Sequence, residues 1–173
     1  MSKQVDDTIK HDTKYSNIKK ILVPIDRTLL SIKAARYGIH LAQIENAELL
    51  IMINVIEDIK QGGAIGLQAK YGNANLVRDF EDFKKESATG VMKSIIEEEK
   101  VEGEKGRVNI KSEILYAHGK STAKVIAEYA HRNEIDIIVM GGTKLAKWKY
   151  LLIGGSVSAG IINKAKCHVL LIR

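Results

Sequence analysis

The chain has 173 residues, 45% hydrophobic and 28% charged, which suits one soluble domain with a sizeable core. Its formal net charge of +6 favours anionic partners, but 5% aromatic residues and dispersed lysines disfavour nucleic acid bound by base stacking. The single cysteine, Cys167, excludes an intrachain disulfide framework and a Cys-rich zinc site.

Residues 1–17, "MSKQVDDTIKHDTKYSN", are polar throughout and are expected to form a flexible tail without the apolar core of a signal peptide. No window has the length of a membrane-spanning helix, so the expected location is cytoplasmic, with no membrane partner. The domain proper is expected over 18–173. "KKILVPID" opens it with a short apolar run, Ile21 to Val23, that predicts a strand buried on both faces. Pro24 has no N–H to give a ladder and so belongs at the strand's end. Ile32, Ala35, Ile39 and Ala42 recur at helical spacing, and Asn46 can take the left-handed conformation that ends a helix.

"AELLIMINV" predicts a second buried strand. Residues 57–72 carry Gly62, Gly63, Gly66 and Gly72 without periodicity, which predicts a loop or flap. A long helix is expected from Asn75 to Lys100, with Leu76, Phe80, Phe83, Val91 and Ile95 facing inward. "VNIKSEILY" alternates as a less buried strand does. Ser121 can cap the next helix, whose inner face holds Val125, Ile126 and Tyr129. "IDIIVM" and "HVLLI" are further strands, separated by a glycine-rich stretch and a helix from Ser156 to Lys164. Strand and helix alternate throughout, which predicts α/β architecture: a doubly wound parallel sheet of five strands with helices on both faces. In such sheets ligands bind beyond the carboxyl ends of the strands, at the switch point, and Asp26, Val55, Gly141 and Gly142 fall near those ends.

Two glycine pairs, Gly141-Gly142 and Gly154-Gly155, bracket a segment that contains Lys144, Lys147 and Lys149. Glycine lets backbone N–H groups approach an anion, and the helix start adds unpaired donors. Ser156 and Ser158 can donate hydroxyl hydrogen bonds to the same oxygens, and Lys144 can pair with phosphate as a point charge. The plain alternative is a connection whose glycines serve turns and capping. "HGKST", residues 118–122, resembles the end of a P-loop, but Ile114 stands where its first glycine belongs, so helix capping is expected instead. Asp26 either holds a ribose or base amine or starts the following helix. The histidines lack metal-ligand spacing, and neither a G-x-S-x-G elbow nor a nucleophile–base pair is present. "PIDRTL" stands where G-x-G-x-x-G would follow the first strand, which disfavours NAD and FAD.

"ILVPID", "AELLIMINVIE" and "DIIVMGG…GGSVSAGIINKAKCHVLLIR" together resemble the universal stress protein family, from about Lys19 to Arg173. The resemblance implies an adenine nucleotide alpha hydrolase-like fold, a homodimer, and either ATP binding or a nucleotide-free interaction module. ATP-binding members carry G-x2-G-x9-G-[S/T]. Here one frame begins at Gly142 and meets Leu145 at the middle glycine; the other begins at Gly141 and meets Lys144. The resemblance places Pro24 and Asp26 beside the adenosine, Val55 at the adenine edge, and Gly155, Ser156, Val157 and Ser158 at the phosphates. Met140, Gly141, Gly142 and Lys144 complete the implied nucleotide-binding set, with ATP and Mg2+ as ligand. The C-terminal strand "HVLLIR" is the expected dimer edge. Weak ATP hydrolysis with Lys144 and a metal on Asp26 ranks lower, since no base for an attacking water can be named.

Overall fold

A computed structural model describes residues 18–57, 75–102, 108–142 and 157–173. Five strands, β1 (Lys20–Pro24), β2 (Leu49–Ile56), β3 (Ile110–Tyr116), β4 (Ile137–Gly141) and β5 (His168–Ile172), form one sheet. Their order is β3-β2-β1-β4-β5, and every pairing is parallel. The helices are α1 (Leu29–Glu45), α2 (Asn75–Glu102), α3 (Thr122–Arg132) and α4 (Val157–Lys164). The doubly wound parallel architecture expected from the alternating pattern is the one observed.

Side chains alternate across a strand, so a run that is apolar at every position feeds two cores at once. Ile21 and Val23 of β1 join Ala35, Ile39, Met92 and Ile95 on the face covered by α1 and α2. Leu22, between them, joins Ile126, Tyr129 and Ile161 on the face covered by α3 and α4. Helices α3 and α4 sit close together: a Cβ on Gly160 would lie 2.7 Å from the Ala123 Cβ.

The strand order places the switch point between β1 and β4. The chain moves outward from β1 through β2 to β3, then returns to lay β4 on the other side of β1. Crossovers leave β1 and β4 toward opposite faces, which opens a crevice beyond their carboxyl ends.

Local readings hold at the helix ends. Asn46 is left-handed (φ 52°, ψ 46°), and its N–H donates to the Ala42 and Gln43 carbonyls. Ser121 caps α3 by accepting from the Lys124 N–H, so "HGKST" is a turn and cap, as the missing glycine at Ile114 predicts. The inward face of α2 is as expected at Ile95, which is buried, and at Val91, which packs against the core, and needs correction elsewhere. Phe80 is 46% exposed and Phe83 61%, whereas Ala88, Met92 and Ile95 are the buried positions. A search for large apolar residues passes over Ala88, yet a small side chain is what lets a helix lie close to a sheet. The expectations for residues 1–17 and, beyond Glu57, for the 57–72 segment fall outside the described residues; so does Leu76 as a side chain.

Candidate functional site

A cavity of about 300 Å3 opens at the carboxyl ends of β1, β2 and β4. Of the residues selected from the sequence, Pro24, Asp26, Val55, Met140, Gly141, Val157 and Ser158 line it. Gly142 lies just past β4, where its N–H donates to the Ile172 carbonyl at 2.9 Å, and it is not among the lining residues. Lys144, Gly155 and Ser156 fall outside the described residues. Ile25, Thr28, Leu30, Ser31, Ile53, Asn54, Thr122 and Ile126 complete the lining; sequence reasoning did not select them for the site. A signal existed for Asn54, a lone polar residue inside an apolar strand. Another existed for Thr28 and Ser31, a cap and its partner three residues on.

Asp26 does two things at once. Its Oδ1 accepts from the Thr28 N–H at 3.0 Å and from the Thr28 hydroxyl at 2.6 Å. Thr28 in turn caps α1, its Oγ1 accepting from the Ser31 N–H at 3.2 Å. Ser31, 3% exposed, is satisfied on both sides: its hydroxyl donates to the Thr28 carbonyl at 2.9 Å and accepts from the Asp26 N–H at 3.3 Å. Burial pushes the Asp26 carboxyl upward, but donors from Thr28, Ser31 and its own backbone outweigh it and hold the group below its ordinary 3.8. The cavity mouth therefore carries an ionised carboxylate at neutral pH.

The end of β2 supplies the second polar feature. The last β1–β2 pair is Pro24 with Ile53, and the Ile25 N–H donates to the Ile53 carbonyl at 2.8 Å. Both backbone groups of a residue in a parallel strand point to the same side, and the side alternates along the strand. Val55, two residues on, thus directs its N–H and C=O to the β1 side, where β1 has ended and the cavity begins. The bend that ends β1 is fixed by Asn54, whose Nδ2 donates to the Ile25 carbonyl at 2.6 Å.

Three helices begin at this cavity. Thr28, Leu30 and Ser31 come from the start of α1, Thr122 and Ile126 from the first turns of α3, and Val157 and Ser158 from α4. Helix starts favour negative charge. Between them Ile25, Ile53, Val55, Ile126 and Met140 form apolar walls. The arrangement can hold a flat ring against aliphatic side chains, offer it a backbone donor and acceptor, accept from hydroxyls at Asp26, and receive an anion at a helix start. Thr122 is tied at 2.6 Å to Glu57, its hydroxyl donating to Oε1. Among the described residues no group of three His, Cys, Asp or Glu side chains could hold a metal ion, and no helix is long and apolar enough to cross a membrane.

The glycines at and just past the end of β4 differ in their surroundings. A Cβ on Gly141 would meet the Leu30 backbone at 2.8 Å, and one on Gly142 would meet Leu171 Cδ2 at 3.0 Å. Close packing against backbone accounts for Gly141 without any ligand, whereas at Gly142 the neighbour is a flexible side-chain tip.

A profile of the universal stress protein family matches residues 17–173. A universal stress protein of Methanocaldococcus jannaschii, MJ0531, is 30% identical over 155 residues, which cover 90% of this chain and 82% of that protein. YxiE of Bacillus subtilis, also a universal stress protein, is 25% identical, with 89% of this chain and 98% of that one covered. Among solved structures, UspA of Lactobacillus plantarum superposes with a TM-score of 0.69 at 24% identity, over 91% of this chain and 99% of its own. A universal stress protein in complex with cAMP superposes at 0.58 and 18% identity, over 91% of this chain and 98% of its own. The chain belongs to the universal stress protein family.

Proposed function

We propose that this universal stress protein binds ATP or a related adenine nucleotide in the cavity at the switch point, and acts as a dimeric, cytoplasmic regulatory module in the stress response. One observation carries the reading: past the end of β1, the Val55 backbone turns a donor and an acceptor toward an apolar slot whose mouth holds the Asp26 carboxylate. An adenine edge presents a complementary donor and acceptor, and a ribose presents hydroxyls that a carboxylate accepts. Phosphates would lie toward Val157 and Ser158 at the start of α4, with Gly155, Ser156 and Lys144 assigned beside them by family resemblance. Mg2+ would enter as the nucleotide's own counter-ion. The cAMP held by a structural relative is itself an adenine nucleotide, which supports the choice of base.

Calorimetric titration with ATP, ATP with Mg2+, and cAMP tests this. Saturable binding that Asp26→Ala weakens by about tenfold or more is expected, from the loss of a charge-assisted hydrogen bond. A chain that binds no adenine nucleotide at millimolar concentration is instead a nucleotide-free interaction module. The observation favouring that alternative is the packing of Gly141 against the Leu30 backbone, which explains one of the four bracketing glycines without phosphate.

Dimerisation through β5 has support from its place at the sheet edge. An edge strand needs pairing or covering. Leu171→Lys is expected to shift the sedimentation coefficient toward a monomer while far-ultraviolet dichroism stays that of the wild type. An unchanged sedimentation coefficient would remove β5 as the dimer edge.

A further inference from the structure

Arg27 is the one residue of the Asp26–Thr28 turn that does not line the cavity, yet its backbone is left-handed, with φ +67°. That conformation is unfavourable for a residue with a Cβ, and it persists where surrounding contacts over-determine it. Two sets of contacts do so here. Asp26 Oδ1 reaches across Arg27 to accept from both donors of Thr28. The Arg27 side chain runs the other way: Nη1 donates to Ser87 Oγ at 2.9 Å, on α2. Ser87 is half-buried and sits one residue before Ala88, where α2 packs on the core. The turn is therefore pinned on one side by its own carboxylate and on the other by a helix distant in sequence.

We propose that Arg27 is a positioning residue. Its guanidinium, anchored on Ser87, holds the left-handed turn that presents Asp26 and Thr28 to the cavity, and it couples α2 to ligand affinity. The coupling half rests on the nucleotide reading given above; the positioning half does not. Coupling is reciprocal, so a ligand that needs this turn in place also steadies α2 around Ser87.

Amide hydrogen exchange on ligand-free wild type, Ser87→Ala, Arg27→Ala and Ser87→Thr tests the positioning half. The reporters are the Thr28 and Ser31 amides, which donate to Asp26 and Thr28. In Ser87→Ala and Arg27→Ala these amides are expected to exchange about tenfold faster, while the Leu22 amide and the urea midpoint stay near wild type. Ser87→Thr keeps the hydroxyl and is expected to restore slow exchange, which a merely structural loss would not do. In the same variants ATP binding is expected to weaken about threefold to tenfold, with recovery in Ser87→Thr. Wild-type exchange at Thr28 and Ser31 in Ser87→Ala overturns the proposal, and faster exchange with unaltered ATP affinity overturns its coupling half while upholding positioning. A wild-type protein that binds no adenine nucleotide overturns the nucleotide reading and the coupling half, while faster exchange in the variants upholds positioning.

Discussion

Two strand-to-helix connections leave the same end of the sheet with the same devices. The first, after β1, caps α1 with Thr28; the other, after β3, caps α3 with Ser121. Each holds a non-glycine residue at positive φ, Arg27 at +67° and His118 at +47°. By sequence "HGKST" after β3 resembles the end of a P-loop, but Ile114 in place of its first glycine leaves it only a capping role, whereas Asp26 after β1 is a candidate site residue. In space the same ranking appears. The connection after β1 and the turn that follows place Asp26, Thr28, Leu30 and Ser31 on the cavity. The one after β3 contributes Thr122 and leaves His118, Gly119 and Lys120 exposed. The reason is topological: β1 sits at the centre of the sheet beside the switch point, and β3 sits at an edge. Place in the sheet decides which loop meets a ligand, and local motif chemistry decides only what that loop can do there.

The two glycines nearest these connections extend the contrast and give the largest expected effect. Gly119 has open space around it and a φ of +76°, so its role is conformational. Gly141 is crowded: its missing Cβ is what allows the first turn of α1 to lie against the end of β4. The atoms met are Leu30 backbone, which yields far less readily than a side-chain tip. Gly141→Ala is expected to destabilise the fold by about 3 kcal/mol, the upper end for overpacking, as read from urea denaturation. A neutral result would mean that α1 can slide outward, and that the crevice between β1 and β4 is adjustable.

The caps provide the next test. Ser121→Ala should cost about 1 kcal/mol of stability, the usual worth of an N-cap, and leave ATP affinity unchanged. Thr28→Ala should cost about 1–2 kcal/mol, because the Thr28 hydroxyl both caps α1 and donates to Asp26. It should also weaken ATP binding. Equal effects of the two variants on affinity would break the distinction drawn between the connections.

The fold was legible in the sequence because strands buried on both faces leave an unmistakable run, as in Ile21 to Val23, and because Asn46 and Ser121 mark helix ends by side-chain chemistry. The inward face of α2 was legible only in part: Ile95 and Val91 pack on the core as expected, and Phe80 and Phe83 do not. Phe80 and Phe83 fit the spacing, but spacing does not reveal which part of a long helix reaches the sheet, and Ala88 makes no hydrophobic signal of its own. At the candidate site, Asp26, Val55 and Gly141 were selected because strand ends can be located from apolar runs, whereas Pro24 and Met140 came from the family resemblance. Thr122 and Ile126 were missed because α3 reaches the cavity only through tertiary packing. The reach of Arg27 to Ser87 was invisible for the same reason: the partners are joined by the packing of α2, not by any local pattern.

The smallest expected effect is the most specific to the connection after β1. The folded Asp26 carboxyl lies below its ordinary 3.8, so its charged form is favoured by folding. That contribution is fully present above the unfolded value and is lost as pH falls through the folded one. The side chain is exposed at the cavity mouth, and solvent screening reduces its worth to about 0.5 kcal/mol. Asp26→Asn keeps a carbonyl acceptor for Thr28 but removes the charge. Wild type should therefore exceed the variant in stability at neutral pH, and the two should converge as pH falls through the lowered folded value of Asp26. Urea midpoints measured across that range check the sign. A gap that persists in acid would show that geometry at Oδ1, and not the charge, holds the turn. The Asp26 charge would then be left for the ligand alone, and the loss of affinity in Asp26→Ala would have to be matched by Asp26→Asn.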